Sequence, residues 1–240
     1  MARSIGTNPG LASYYSAMND RAKRQLRFLA GFGVYFAAIW LLWSTPVVYP
    51  IKLFVVLLHE ISHGIAALAT GGQILGIDVT PREGGVCRCP GGSEFLTLSA
   101  GYLGSLLWGG AMIWSAERFT ARGAWVTAGI AAVVGGATLL YVRQPFAAAF
   151  GLAFAAALIV VSRRAGQVGN RLVLTTLGLT SCLYAVLDIK SDVLDRPELL
   201  SDARMLAEIT GIPTLAWGTI WIAIAIAFCI ALFRWALRRV

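Results

Sequence analysis

The sequence predicts an all-α, polytopic membrane helical bundle of six or seven transmembrane helices, with a short membrane-associated β-hairpin after its second helix. Two counts and one pattern carry this. Of 240 residues, 58% are hydrophobic and only 13% are charged, whereas a soluble domain has about 45–50% and about 25%. Apolar runs near the length that crosses hydrocarbon recur from residue 28 to the C-terminus. None of them alternates as a barrel strand would, and a backbone in lipid must satisfy its own hydrogen bonds, so helices follow.

Residues 1–27 form a polar segment carrying Arg3, Arg21, Lys23, Arg24 and Arg27. No short apolar core with a small-residue cleavage site is evident in it. The remainder, 28–240, reads as a single membrane-embedded domain. Its apolar runs are 28–43, 51–70, 95–115, 124–142, 146–162, 172–189 and 214–235. Trp40, Trp43, Trp114, Trp125 and Trp217 sit near run ends, as interfacial belts place them, while Trp108 and Trp221 lie deeper. With seven crossings the Lys and Arg divide almost evenly between the two sides. If 124–162 is a re-entrant pair around Arg143, Gln144 and Pro145, six crossings leave a clear excess on one side.

Two connections exceed simple turns. Residues 71–94 hold two β-prone stretches around Gly84-Gly85, the pattern of a hairpin held near the membrane surface. Residues 190–213 hold five of the twelve acidic residues, and 197–208 reads as a short amphipathic helix, with Ser201 or Asp202 near its start, serving as an interfacial connector. The net charge of +8 lies mostly in Arg at segment ends, which suits lipid headgroups; the partner this predicts is the bilayer, not nucleic acid. Cys87, Cys89, Cys182 and Cys229 do not make a disulfide framework, and the first two read as incidental rather than as a soft-metal pair.

The second run contains His59-Glu60-Ile61-Ser62-His63, an H-E-x-x-H motif that uses both histidines of the chain. On a helix, positions i and i+4 share a face, so His59 and His63 can bind one metal ion. Glu60, on the adjoining face, can accept a proton from a water that Zn²⁺ acidifies. With two His and six Glu in the chain, the motif arises by chance on the order of 10⁻³ or less. Ionisable groups at a membrane-helix centre also cost about 2.5–3.5 kcal/mol each on insertion scales, which a functional site explains. Other metal chemistries fail on ligand count: a di-iron bundle needs a second Glu-x-x-His pair, and desaturase-type sites need many more histidines.

A catalytic zinc takes a third protein ligand. Apart from Glu60, Asp188 is the one acidic residue embedded in an apolar run, which makes it the third ligand by elimination; Asp202 is the alternative, should the connector fold back. Small residues at Gly101, Gly104 and Ser105 suit close packing against the motif helix, and Tyr102 can alternatively donate a hydrogen bond near the metal.

The chain resembles the site-2-protease-like intramembrane metallopeptidases, specifically their bacterial B-like branch, peptidase family M-fifty. The likeness spans most of 51–221. It rests on His59-Glu60-Ile61-Ser62-His63-Gly64, Thr70-Gly71-Gly72, Ser99-Ala100-Gly101-Tyr102-Leu103-Gly104, Tyr184-Ala185-Val186-Leu187-Asp188, Ser201-Asp202-Ala203, Thr210-Gly211-Ile212-Pro213 and Trp217, in that order. The resemblance implies zinc held by His59, His63 and Asp188, water activated by Glu60, a membrane-protein or peptide substrate, and residence in a bacterial cell membrane. Asp188 is followed by Ile189 and Lys190 rather than by the glycine of the better-known members. No connecting segment exceeds about 25 residues, too few for an inserted PDZ-like domain, so selection would fall to the membrane domain itself.

Overall fold

A computed structural model describes residues 9–195 and 200–239. They form α1 (Pro9–Leu42), α2 (Tyr49–Ala69), β1 (Gly76–Val79), β2 (Gly85–Arg88), α3 (Glu94–Arg118), α4 (Gly123–Tyr141), α5 (Pro145–Arg164), α6 (Gly166–Ile189), α7 (Asp202–Thr210) and α8 (Thr214–Arg239). A 3₁₀ turn at Thr120–Arg122 precedes α4, and Lys190–Asp195 prolongs α6 in wider π-type turns. Seven of the helices are long and apolar enough to cross a membrane, and the chain is an integral multi-pass membrane protein. The 124–162 region forms two helices of 19 and 20 residues. At 1.5 Å per residue each is about 30 Å long, enough to cross hydrocarbon, which favours seven crossings.

The chain divides into two compact units, 1–48 with 230–240, and 49–229. In the first, the polar and apolar parts of the N-terminal region belong to one continuous helix, α1. Phe28 and Phe32 set their rings 5.7 and 4.9 Å from that of Phe233.

The second unit holds the motif helix. α2 is the most enclosed of the spans, with 72% of its apolar window buried. Its neighbours approach it through glycines. A Cβ on Gly104 would collide with Ser62, and one on Gly101 would meet both histidines. Trp108 Nε1 donates to Ser62 Oγ at 3.2 Å across the same contact, tying the helices by a polar bond where no water competes. α3 meets α6 the same way: Cβ atoms on Gly109 and Gly178 would each come within 2.7 Å of the other's carbonyl oxygen.

The expected hairpin is present. β1 and β2 pair antiparallel with Ile77 opposite Cys87 and Asp78 opposite Val86. Its turn closes with Thr80 N donating to Gly84 O at 2.7 Å. Glu83 there takes φ 63° and pairs with Lys52 of α2 at 2.6 Å. The outer side of β1 bridges Val142 through Ile77, which leaves β2 as the edge strand. Cys87 and Cys89, expected to be incidental, are joined to each other as a disulfide.

The connector differs most from expectation. Its helix starts later, at Asp202; residues 197–199 of the expected 197–208 span lie outside the described residues. Ser201 caps it, accepting from Arg204 N, and Gly211 ends it at φ 72°, a left-handed position that suits glycine. α7 folds back onto the bundle. Ala203 and Leu206 pack in one buried cluster with Tyr102, Ile189, Val193 and Trp221. That burial of apolar surface is what carries Asp202 inward.

Candidate metal centre

Because α2 is regular through the motif, His59 and His63 project from one face, their rings 4.7 Å apart. Asp202 Oδ2 lies 3.0 Å from His59 Nε2 and 3.3 Å from His63 Nε2. The three side chains retain only 13%, 7% and 10% of their accessible surface for His59, His63 and Asp202. His63 Nδ1 donates to the carbonyl oxygen of Thr97 at 2.7 Å. A carbonyl can only accept, so that nitrogen carries the proton, and a neutral His63 turns the lone pair of Nε2 toward the carboxylate. Lone pair facing carboxylate requires a cation between them, a proton or a metal ion.

The spacing fits a metal. A tetrahedral zinc with bonds of about 2.0–2.2 Å has ligand-to-ligand edges of about 3.3–3.6 Å, close to the separations found. The Thr97 contact is also the second bond that orients a ligating histidine. Burial alone would raise the Asp202 carboxyl; with no metal bound, the charge of His63 and hydrogen bonds from both imidazoles in their protonated form instead hold it below the usual carboxylate range.

Glu60 is buried beside this group, and ligand atoms of His59, Glu60 and His63 all lie within 4.8 Å of one another. The backbone N–H of Cys87 lies beside the Glu60 carboxylate. Strand β2 crosses directly over it, so a Cβ on Gly85 would collide with Glu60 Oε1. Tyr102 sets its ring edge-on to His59, centroids 5.0 Å apart, and donates its hydroxyl to Asp192 Oδ2 at 3.3 Å. Tyr102 thus packs its ring against the motif helix while its hydroxyl is bonded to Asp192.

All of these groups line one cavity of about 650 Å³. Asp188 lines it too, from α6, but among the described residues no hydrogen bond or ion pair joins it to either histidine. Gly101 and Gly85 are the residues whose role sequence reading underestimated: each is a missing side chain against a site residue, and a glycine's reason is invisible until its neighbour is known.

The model of the Peptidase M50B-like family matches residues 32–232, which include the motif, the hairpin, Asp188 and α7. The chain belongs to the Peptidase M50B-like family. No curated protein and no solved structure matches it. Membership makes this a metallopeptidase-type membrane protein, and the His59, Glu60 and His63 group is where such chemistry would reside.

Proposed function

We propose that this M50B-like chain is an intramembrane zinc endopeptidase that cleaves a membrane-embedded or juxtamembrane peptide, in a bacterial cell membrane. The observation that carries the reading is the convergence of His59 Nε2 and His63 Nε2 on one oxygen of Asp202, with Glu60 buried alongside. His59, His63 and Asp202 would hold the ion, and Asp188 would stand in the cavity wall. When bound, zinc supplies a Lewis acid for the scissile carbonyl and lowers the pKa of water toward about 7.

The protein's own residues supply the rest. Glu60 accepts the proton of the attacking water and delivers it to the departing amine. Strand β2 packs against that carboxylate at Gly85. A substrate helix hides its carbonyls in its own hydrogen bonds, so it must unwind before cleavage. The free edge of β2 offers backbone partners to the unwound strand. Tyr102 buttresses His59 through its ring.

Glu60→Gln tests this. Cleavage of a model transmembrane peptide should fall by at least about 10²-fold, while zinc content stays near that of the unmodified protein. A wild-type chain that binds zinc and cleaves nothing would point instead to a metal-holding scaffold or transporter. Zinc content far below one per chain, unchanged in His59→Ala, would remove both readings.

A further inference from the structure

The cavity around the motif is opposite in sign to the protein that contains it. The chain carries twenty Lys and Arg against twelve Asp and Glu. Yet among the described residues no Lys or Arg lines the cavity, while Glu60 and Asp202 are joined there by Glu83, Glu94, Asp188, Asp192 and Glu208. Seven of the twelve carboxylates therefore face one space. Two are matched from outside the lining, Glu83 by Lys52 at 2.6 Å and Glu208 by Arg204 at 3.0 Å. A divalent ion at the histidines would offset two more charges. Glu94 and Asp188 keep no cationic partner among the described residues.

A second observation concerns Thr97. Its residue is only 9% exposed, it lines the same cavity, and its Oγ1 has no hydrogen-bond partner. A buried hydroxyl of this kind keeps unused hydrogen-bonding capacity just behind the cavity lining. Beside it, β2 lines the cavity with an unpaired edge that suits extended backbone.

We propose that the peptide taken by this site is cationic: an extended juxtamembrane segment carrying Lys or Arg close to the bond presented to Glu60, selected by Glu94 at the start of α3, with Glu208 on α7 contributing by exchanging its solvent-exposed pairing with Arg204 for the incoming cation. The proposal rests on the peptidase reading above and adds the substrate class to it. Lys and Arg concentrate beside transmembrane segments on their cytoplasmic flank, so such a segment joins an apolar helix to the charge this cavity lacks. Low-dielectric walls lined by one sign of charge focus the field and raise the local concentration of the opposite sign. An acidic flank would meet repulsion from the same wall, so the lining discriminates as well as attracts.

The test measures binding, so it does not depend on turnover. Full-length Glu60→Gln protein, zinc-loaded and in detergent, is titrated with fluorescently labelled peptides that share one backbone and differ only in carrying Lys, Gln or Glu at the same positions. The Lys peptide should bind about tenfold tighter than the Gln peptide, and the Glu peptide weakest, with the preference shrinking between about 0.05 and 0.3 M salt. Adding Glu94→Gln and Glu208→Gln, neither of which touches the metal ligands, should reduce the Lys-over-Gln ratio several-fold at unchanged zinc content. Equal affinities for the three peptides, or a preference for the Glu peptide, overturns the proposal. So does a second divalent ion bound per chain with no charge preference, which would assign the carboxylates to metal. Tight Lys-peptide binding without cleavage by the wild-type chain would leave the charge selection standing and remove the peptidase reading.

Discussion

Replacing Gly101 by alanine adds one methyl group at the point where α3 passes the two histidines. A Cβ there would lie 2.5 Å from His59 Cε1 and 2.6 Å from His63 Cε1, and nearer still to His59 Nε2. Carbon atoms rest at about 3.5–4.0 Å, so each imidazole must retreat by about 1 Å. Metal–ligand distances tolerate only about 0.2 Å. Zinc affinity should therefore fall by at least about 10–100-fold, the range seen when groups that orient ligands are lost. The fold should survive, since the methyl group favours the helix by about 0.5–1 kcal/mol and overpacking costs about 1–3 kcal/mol. Zinc affinity is read by competition with a chromogenic chelator, and folding by thermal unfolding of the metal-free protein. Gly129→Ala is the control, because nothing lies within 4 Å of its added Cβ. Gly101→Ala that folds and binds zinc as tightly as Gly129→Ala would refute the account of how α3 seats the site.

The two candidate third ligands separate by isosteric exchange. Asp202→Asn should lower zinc affinity by about 10²-fold or more, while Asp188→Asn should change it less than about threefold, measured by the same chelator competition; the opposite order would return the ligand role to Asp188. Gly85→Ala drives a methyl group into Glu60 and leaves the histidines alone. Peptide cleavage should drop by about 10²-fold, the cost of misplacing a catalytic group by about 1 Å, with zinc content unchanged. Normal cleavage by Gly85→Ala would mean that β2 does not set the position of Glu60.

Much of this molecule is legible along the chain because its information is local. An apolar run of about 20 residues must become a helix in lipid, whatever it packs against. His59, Glu60 and His63 are four residues apart or closer, so one helical turn assembles them without help. The hairpin and the Ser201 cap are equally local signals. By contrast, α1 extends well N-terminal of its apolar run, because a helix continues through polar residues when no breaker intervenes.

What the tertiary structure alone decided is which carboxylate reaches the histidines. By hydropathy, Asp188 stands out as the acid inside an apolar run, and Asp202 reads as part of a polar connector. The outcome rests on contacts across 143 positions between His59 and Asp202, made because Ala203 and Leu206 bury themselves beside Tyr102 and Trp221. The short helix is pulled in by its apolar face, and the carboxylate at its first residue comes with it. Likewise the sequence counts twelve acids, but only the folding back of α7 and the crossing of β2 over Glu60 gather seven of them around one cavity. Chain chemistry determined the membrane helices and the metal-binding turn; packing at long range determined what faces that turn, because burial of apolar surface carries no label of sequence distance.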